Sequence, residues 1–345
     1  MGISYSACLN QKLRMMRRDT DLIMRIADMD NLRLAFWKAQ KSKVGKPDVE
    51  IFRKNLEKNL MELQSEIFSG NIRVGDYKYF TIYDPKERRI CAASFRERVL
   101  HHGLMIVCHD NFERFQIDTS YASRIGKGTY AAIDQVQKYQ QRYRWYLKLD
   151  VRKYFDSINH EEIKQLLARR FKERALIDIF SAIIDSYNTG EGKGLPIGNL
   201  TSQYFANHYL AVADHFVKEQ LGAKGYVRYM DDMVIWDNDK GRLLKIGHAL
   251  RSFLENSLFL KLKPFCLNSN SIGLPFCGYL IFPKMIRLNL SSRRRFKSKC
   301  VAYYQKLISN EWSQEVFQAH MLPLVAFAKH ANSKNLRRKT IMIFE

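Results

Sequence analysis

Hydrophobic residues recur at helical spacing along the first third of the chain. Residues 30–41 are predicted to form a helix with Leu34 and Trp37 on one face. Residues 95–111 predict another helix, and Ser-Gly at 69–70 is typical of a helix C-terminus. Between them, the clearest amphipathic stripe has apolar residues three or four positions apart, at Phe52, Leu56, Leu60, Leu63 and Ile67.

A hairpin pattern lies between these helices. Residues 77–83 are strand-like, and Asp84-Pro85 predicts a turn into the basic run at 88–90. The sequence therefore predicts a basic β-hairpin in this region.

Strands and helices alternate in the second half. The predicted strands are 145–149, 226–229, 233–236 and 276–282, and the predicted helices are 161–187 (in two pieces), 200–220 and 242–262. Strand, helices, hairpin, helix, strand is the order of a βαββαβ sheet with helices on one face. A basic helical segment follows from Ser291 onward.

The charge of the chain indicates what it binds. Its 345 residues include 57 Lys and Arg but only 35 Asp and Glu, which gives a formal net charge of +22. The excess is spread along the whole length, and such a surface favours a polyanionic partner, with nucleic acid as the first candidate. A merely soluble basic protein is the alternative.

The spacing of the cysteines and histidines and the lengths of the apolar segments disfavour several other classes of protein. The six cysteines are scattered without a CxxC pair, and the nine histidines form no HxxxH, so zinc sites and a disulfide framework are disfavoured. The N-terminal residues show no apolar signal-peptide core, and no apolar run approaches the roughly 20 residues of a membrane span. We expect a cytoplasmic protein that does not enter a membrane.

Carboxylates occur at the ends of two predicted strands. Asp150 directly follows the strand at 145–149, and Asp231 and Asp232 lie at the tip of the second hairpin. Phosphoryl transfer to a nucleotide 3′-hydroxyl uses two metal ions, and magnesium takes hard oxygen ligands from few protein groups. Taken alone, the Asp pair also fits an ordinary turn and Asp150 also fits a helix N-cap.

Taken together, these motifs resemble those of reverse transcriptases. Tyr-Met-Asp-Asp at 229–232 resembles the YxDD signature, and Leu-Asp at 149–150 followed by Phe-Asp at 155–156 resembles the first catalytic motif. Further similar segments follow in the family's order, at 96–102, 120–129, 194–203 and 276–279. The resemblance covers roughly residues 30–290.

The resemblance implies a fold and a division of the chain. The fold is α+β, a right-hand polymerase with a ferredoxin-like βαββαβ palm, fingers and a short helical thumb. An N-terminal helical region would cover 1–75, and fingers 76–145, with part of 190–200 against them. The palm would cover 146–285, and a basic helical thumb 286–345.

The resemblance also implies a metal site. Asp150 and Asp231 would be the main ligands, Asp232 would support them, and the backbone carbonyl of Val151 would be a further ligand. The cofactor would be two Mg²⁺ ions, for which Mn²⁺ can substitute.

Contacts with the incoming nucleotide are implied at several positions. Phe155 matches the aromatic steric gate against a ribose 2′-hydroxyl, although it could instead pack in the core beside Tyr154. Arg124 and Lys127 would face the triphosphate, with a solvated basic loop as the alternative.

The remaining implied roles concern the primer and the leaving group. Phe276, Gly278 and Tyr279 match the primer grip. Either Lys261 or Lys263 could protonate the leaving pyrophosphate, and the sequence does not choose between them.

One segment resembles a particular subgroup. Ile197-Gly198, followed by Ser-Gln at 202–203, stands where most reverse transcriptases carry QGxxxSP, and this resembles the enzymes of diversity-generating retroelements, within the bacterial and phage group II intron-like family. Lys-His-Ala-Asn at 329–332 fits that subgroup, but Val-Ala-Phe at 325–327 replaces its expected Gly-His.

The subgroup would imply low fidelity and defined partners. These enzymes miscopy template adenines, and we expect Ile197 and Gly198 to contact the nucleotides. Isoleucine at 197 would remove a polar constraint on mispairs. The partners would be a structured template RNA that also primes synthesis, the RNA/DNA hybrid, dNTPs and a small basic helical, oligomeric accessory protein. A retron-like or other bacterial reverse transcriptase, or a non-catalytic RNA-binding scaffold, are the alternatives.

Overall fold

The computed structural model describes residues 20–83 and 87–342. The elements of the first half are α1 (Leu22–Ala27), α2 (Met29–Gln40), α3 (Pro47–Lys54), α4 (Leu56–Ser69), β1 (Tyr77–Tyr83), β2 (Glu87–Ala93), α5 (Phe95–Glu113), α6 (Thr129–Arg142), β3 (Trp145–Asp150), α7 (Tyr154–Ser157), α8 (His160–Arg170) and α9 (Arg174–Asp185). Those of the second half are α10 (Leu200–His215, extended by a π-helical turn at Phe216–Gln220), β4 (Gly225–Tyr229), β5 (Asp232–Asp237), α11 (Lys240–Ser257), β6 (Cys266–Ser269), β7 (Leu274–Phe276), β8 (Tyr279–Ile281), β9 (Ile286–Leu288), α12 (Leu290–Ile308), α13 (Gln314–Lys329) and α14 (Lys334–Ile341).

These elements form two compact units. The first unit contains the described residues up to Ile117, together with Val151–His215 and Leu250–Lys263. The second contains Asp118–Asp150, Phe216–Ala249 and the described residues from Pro264 onward.

The first unit is mainly helical. Helices α2 and α5 pack against each other, and Phe36, Phe52 and Phe95 form an aromatic cluster between α2, α3 and α5. The antiparallel hairpin β1–β2 also belongs to this unit, and it confirms the hairpin predicted in this region.

The second unit is built on a four-stranded antiparallel sheet in the order β4-β5-β3-β6. Because its strands follow in the chain as β3, β4, β5 and β6, this is the strand order of a ferredoxin-like βαββαβ sheet. Tyr146, Val227 and Trp236 from the sheet pack with Ile133 and Val136 of α6 in one buried core. This is the predicted strand order of the palm, but the fourth strand is β6 (Cys266–Ser269) and not the strand predicted at 276–282, which lies in a separate sheet.

A second sheet and three helices complete this unit. The sheet has the order β7-β8-β9, and its Phe276 and Tyr279 enter the same core as Phe296 of α12. Asn332, three residues after α13, holds this segment to β9. Its side-chain oxygen accepts the Ile286 N–H at 2.8 Å, and its own N–H donates to the Ile286 carbonyl at 2.8 Å.

The helix predicted over 242–262 is shorter than the pattern indicated. It ends at Ser257 because Phe259 has a φ of +52°, in the left-handed region that a right-handed helix cannot continue through. The Leu260 N–H then turns back to the Leu254 carbonyl at 2.9 Å.

The single strand predicted over 276–282 is wrong. Phe276 pairs directly with Tyr279, so β7 and β8 are joined by a two-residue turn at Cys277 and Gly278. Both turn residues have positive φ, +46° and +87°, which is the requirement of a type I′ hairpin turn.

The N-terminal apolar pattern also needs correction. The stripe from Phe52 to Ile67 is divided at Asn55, between α3 and α4. Leu34 and Trp37 are 45% and 64% exposed. Helix α2 instead buries Leu32, Ala35, Phe36 and Ala39. The face that Leu34 and Trp37 share is therefore the exposed face of α2, and the opposite face is buried.

Helix α8 is capped by Asn159, whose side-chain oxygen accepts the Glu162 N–H at 2.9 Å. Asp156 is half-buried, and this burial raises the pKa of its carboxyl.

The division into four named regions stays a prediction. Residues 1–19 of the first predicted region, and the predicted turn at Asp84-Pro85, lie outside the described residues. In the part of the chain that the structure describes, no helix combines the length and apolar character needed to cross a membrane.

Candidate active site

The β3–β5 register brings the predicted catalytic carboxylates together. Asp150, the last residue of β3, is the direct cross-strand partner of Asp232, the first residue of β5. Directly opposed residues lie on the same face, with Cβ atoms about 5 Å apart. Asp231 immediately precedes Asp232, in the turn between β4 and β5. The sheet therefore places all three aspartates at one end of one strand pair, in the second unit.

Buried apolar residues hold β3 and β5 in the core up to the positions next to the aspartates. Leu147 and Leu149 on β3, and Met233 and Val234 on β5, are fully buried. Each strand changes to aspartate only where it leaves the core, and all three carboxylates are half-buried. The acidic end is thus held rigidly by the burial of the residues beside it.

The turn between β4 and β5 holds a strained residue. Tyr229 pairs with Asp232, so the turn consists of Met230 and Asp231. Met230 has a φ of +55°, which costs a residue with a Cβ atom about 1 kcal/mol. The fully buried Arg228 donates from Nη1 to the Met230 carbonyl at 3.1 Å and so supports this conformation.

A short segment before α6 continues the sheet beside the turn. The Arg228 N–H donates to the Thr119 carbonyl at 2.9 Å, and the Tyr121 N–H donates to the Arg228 carbonyl at 3.0 Å. Ser120 therefore bridges β4 in parallel. Sequence reasoning assigned no role to Arg228, because its burial and its hydrogen-bond partners are set by the folded sheet.

Lys148 connects Asp232 to a second hairpin. Its Nζ lies 3.2 Å from Asp232 Oδ1 and donates to the Pro275 carbonyl at 3.0 Å. The thiol of Cys277 lies close to this pair. Burial raises the pKa of Cys277 to about 12, and the Asp232 charge adds to this shift while Lys148 opposes it. Sequence reasoning missed Lys148 because its partners are distant in the chain.

The three aspartates fit a magnesium site of the kind that substrate completes. In the described residues, no three or more His, Cys, Asp or Glu side chains already form a metal-binding cluster. Magnesium usually takes one or two carboxylates together with water and substrate phosphates, and it seldom uses an all-protein cage. An opposed pair of aspartates with a third beside it provides the hard oxygen donors that such a site needs.

The loop at 118–129 places Arg124 and Lys127 against its own backbone. Arg124 Nη1 donates to the Ser120 carbonyl at 2.7 Å, and Lys127 Nζ donates to the Asp118 carbonyl at 2.9 Å. Lys127 also lies over the Tyr121 ring, 5.4 Å from its centroid. Both cations brace the loop, and their contact with a triphosphate stays a prediction.

An open cavity of about 570 Å³ lies beside this loop. It is lined by Lys127, Gly128, Thr129, Tyr130, Tyr229, Cys277 and Phe327. The hydroxyl groups of Thr129 and Tyr229 lie 2.9 Å apart, which anchors the tyrosine of the YMDD segment. The sequence gave no reason to connect Thr129 with that tyrosine.

The segment around Ile197 lies along β2 in the first unit. The Ile197 carbonyl accepts the Cys91 N–H at 2.9 Å. Gly198 has a φ of +121°, and a Cβ atom there would lie 2.9 Å from Ile90 Cγ2. Only glycine therefore fits at 198. Ile197 is half-buried and Gly198 is exposed.

The residues after Asp150 also belong to the first unit. Val151 is buried and bridges Leu262. Tyr154 takes the core position, whereas Phe155 is half-buried. The Phe155 carbonyl accepts the Leu195 N–H at 2.9 Å. The Phe155 ring meets the Tyr154 ring edge-on, with 5.7 Å between their centroids, so the gate role of Phe155 stays a prediction.

Neither lysine proposed for the leaving group is singled out. The Lys261 carbonyl accepts the Arg152 N–H at 2.8 Å, and its side chain is exposed. Lys263 is half-buried. The choice between them stays open.

The predicted primer-grip residues mostly face inward. Phe276 and Tyr279 are buried, and the Tyr279 hydroxyl donates to the Phe327 carbonyl at 2.7 Å. A Cβ atom on Gly278 would lie 3.0 Å from Phe327 Cζ and from Ser292 Oγ. Contact with a primer at this hairpin is therefore expected from the turn backbone and not from the two aromatic rings.

Comparison with known proteins places the fold and the motifs in one family. The family described as "Reverse transcriptase (RNA-dependent DNA polymerase)" matches residues 90–264, just over half of the chain. "Uncharacterized 91 kDa protein in cob intron" of Schizosaccharomyces pombe is 24% identical over 169 residues, covering 47% of this chain and 21% of that protein. "Putative COX1/OXI3 intron 1 protein" of Saccharomyces cerevisiae is 23% identical over 180 residues, covering 49% and 22%. The match thus spans about a fifth of these relatives.

A solved structure shares the fold. Apo telomerase from Candida tropicalis aligns with a TM-score of 0.50 at 12% identity, covering 79% of this chain and 62% of that chain. At this identity the likeness concerns the fold alone, and it agrees with the predicted right-hand polymerase architecture. With its family match, its sheet order and the aspartates at the end of β3 and β5, the chain belongs to the reverse transcriptase family.

Proposed function

We propose that this chain is an RNA-directed DNA polymerase whose catalytic groups are Asp150, Asp231 and Asp232. The observation that carries the proposal is the β3–β5 register, which opposes Asp150 to Asp232 and leaves Asp231 in the adjoining turn. Enzymes of this family use divalent metal ions, as a rule Mg²⁺.

Each aspartate would have a distinct part in holding the metal. Asp150 and Asp231 would provide the principal oxygen ligands, with the Val151 carbonyl as a further one. Asp232 already pairs with Lys148, so its share of the metal charge is smaller. When bound, two Mg²⁺ ions activate the primer 3′-hydroxyl and neutralise the pyrophosphate. The contribution of the chain is to keep its carboxylates fixed at the end of a buried strand pair.

The substrates follow from charge and shape. A net charge of +22 favours a polyanion, and an RNA/DNA hybrid is read through its backbone and A-form geometry. Phe155 would exclude ribonucleotides, since its ring is half-buried while Tyr154 fills the core. Arg124 and Lys127 would meet the triphosphate of the incoming dNTP after leaving their carbonyl partners in the loop.

Primer extension tests the activity. Wild-type protein should extend a DNA primer on an RNA template with dNTPs and Mg²⁺, and Asp231→Asn should reduce product by at least a thousandfold, the order expected when several kcal/mol of charge stabilisation are removed. Asp237→Asn is the matched control, because Asp237 ends β5 far from the turn and pairs with Arg242 at 3.2 Å. Equal product from all three proteins, or none from the wild type, would reject the proposal and favour a non-catalytic RNA-binding scaffold.

The subgroup is a finer proposal. We infer a diversity-generating retroelement enzyme, which would copy a structured, self-priming template RNA with errors at adenines, together with a small basic accessory protein. Support comes from Ile197 in place of glutamine and from the Lys-His-Ala-Asn motif at 329–332. A cytoplasmic location goes with this proposal and stays a prediction.

Ile197 provides a direct test of the subgroup. Ile197→Gln restores an amide, so misincorporation opposite template adenine should fall several-fold, while Ile197→Leu keeps an apolar side chain and should leave the error spectrum unchanged. Sequencing of cDNA made by each variant on one template measures both. A wild-type enzyme with ordinary fidelity at adenine would indicate a retron-like or other bacterial reverse transcriptase.

A further inference from the structure

Lys148 lies at the centre of a network of which the catalytic proposal uses only the ion pair with Asp232. It is two residues before Asp150 on β3 and therefore on the same face of the sheet. Its ammonium contacts Asp232 Oδ1 at 3.2 Å and the Pro275 carbonyl at 3.0 Å, and it lies 5.9 Å from the centre of the Phe276 ring. One side chain thus joins β3, β5 and β7.

We infer that Lys148 is a positioning residue for nucleotide addition, which holds Asp232 and the β7–β8 hairpin in register with the catalytic strand. The inference rests on the proposed polymerase function. In this arrangement Lys148 does not touch substrate. It acts on the chemistry through Asp232, whose carboxylate it orients. Its hydrogen bond to the Pro275 carbonyl of β7 holds the lysine itself in place, next to the turn at Cys277 and Gly278.

The chemistry of lysine suits this task. An ammonium has three donor directions and no acceptor, so it can serve a carboxylate and a carbonyl at the same time. The neighbours of Lys148 along β3, Leu147 and Leu149, are both fully buried, yet the Lys148 side chain keeps 20% of its surface exposed. A partly exposed ion pair adds little to folding stability, so stability alone does not explain a lysine at the catalytic end of the sheet.

The network also determines how Asp232 would meet a metal. A carboxylate that is already paired with an ammonium has less of its charge left to neutralise a metal ion. Its orientation depends on Lys148, and the same lysine depends on β7. A shift of the β7–β8 hairpin would therefore move Lys148 and, with it, the carboxylate of Asp232. A misplacement of about 1 Å at a reacting group is enough to slow chemistry roughly a hundredfold.

Kinetics of three Lys148 proteins test the inference. Lys148→Met keeps the alkyl chain and removes the charge and donors, and it should lower kcat for single-nucleotide addition about tenfold while the Kd for primer–template changes less than threefold. Lys148→Arg keeps the cation and should restore kcat to within threefold of wild type. Lys240→Met is the matched control, since Lys240 lies 5.3 Å from the ring centre of Trp145 at the other end of β3.

A double-mutant comparison separates positioning from general destabilisation. If Lys148 acts through Asp232, the double variant Lys148→Met/Asp232→Asn should be no slower than Asp232→Asn by more than about threefold. Multiplying effects would overturn the inference. So would a Lys148→Met enzyme with unchanged kcat, or a Lys148→Arg enzyme as slow as Lys148→Met.

If no protein, wild type included, extends a primer, the proposed function is rejected. Amide hydrogen exchange then still tests whether Lys148 holds the hairpin. Exchange at residues 274–281 should be several-fold faster in Lys148→Met than in wild type, Lys148→Arg or Lys240→Met. Unchanged exchange would show that Lys148 does not hold the hairpin, whatever the activity.

Discussion

The hairpins β4–β5 and β7–β8 are both closed by a two-residue turn, but they use those residues differently. The first turn is Met230-Asp231 and the second is Cys277-Gly278. Both begin with a non-glycine residue at positive φ, +55° at Met230 and +46° at Cys277. Only the second turn has glycine at its other central position. There, glycine fits closely against Phe327 and Ser292, whereas the first turn carries an acidic side chain at the same position.

The difference between the two turns shows which of them keeps a strained backbone conformation. At Gly278, glycine adopts the positive φ without strain and leaves room for Phe327 and Ser292, so this turn contributes to core packing. At Met230 the strained conformation is supported by a donor from buried Arg228, and the adjoining position is kept for a carboxylate. Strain that the surroundings maintain is typical of functional sites.

The largest expected effect, on activity, comes from replacing Asp231 of the first turn with glycine, the residue at the same position of the second turn. Asp231→Gly should abolish extension, by roughly a thousandfold or more, because a principal metal ligand is lost. The free energy of unfolding should change by less than about 1 kcal/mol, since glycine tolerates any turn conformation. Primer extension and urea unfolding of the same preparation measure both quantities. Activity within tenfold of wild type would contradict the assignment of this turn to chemistry.

A substitution in the second turn should lower the stability of the fold. Gly278→Ala forces a Cβ atom into the left-handed region and to within 3.0 Å of Phe327 and Ser292. It should lower the free energy of unfolding by about 2 kcal/mol. Gly126→Ala is the control, because Gly126 has a φ of +71° but an added Cβ atom would meet no other atom within 4 Å, and it should cost about 1 kcal/mol. Equal losses in the two variants would show that packing adds nothing at Gly278.

The smallest effect should appear at Met230. Met230→Gly relieves the positive φ, worth about 1 kcal/mol, but adds freedom to the unfolded chain. A net gain of about 0.5 kcal/mol in the free energy of unfolding is expected from urea denaturation. A loss of more than about 1 kcal/mol would mean that the methionine side chain stabilises the turn more than its backbone strains it.

Periodicity and motifs predicted much of this site from the sequence. The apolar strand at 145–149 and the hairpin pattern around 229–232 predicted three of the four strands of the sheet, whereas the fourth was predicted at 276–282 and is β6 at Cys266–Ser269. The prediction that Asp150 meets the Asp pair agrees with the cross-strand register of Asp150 and Asp232.

Contacts between distant segments could not be predicted in this way. Nothing local indicates that Lys148 meets Pro275 or that Arg228 supports Met230, because those partners are set by the folded sheet. The turn inside 276–282 was missed although Cys-Gly is a turn signal, since the flanking aromatic residues suggested one continuous strand. Phe276 and Tyr279 were assigned to a primer on the motif alone, and their burial appears only in the fold.

Iron-directed cleavage of the chain tests the central claim most directly. Fe²⁺ substituted for Mg²⁺, with ascorbate and peroxide, produces hydroxyl radicals that cut the backbone close to the bound ion. Cuts are expected near residue 150 and near residues 231–232, suppressed by excess Mg²⁺ and absent from Asp150→Asn and Asp231→Asn proteins. Cleavage elsewhere, or cuts that persist in both variants, would contradict a metal site shared by the ends of β3 and β5.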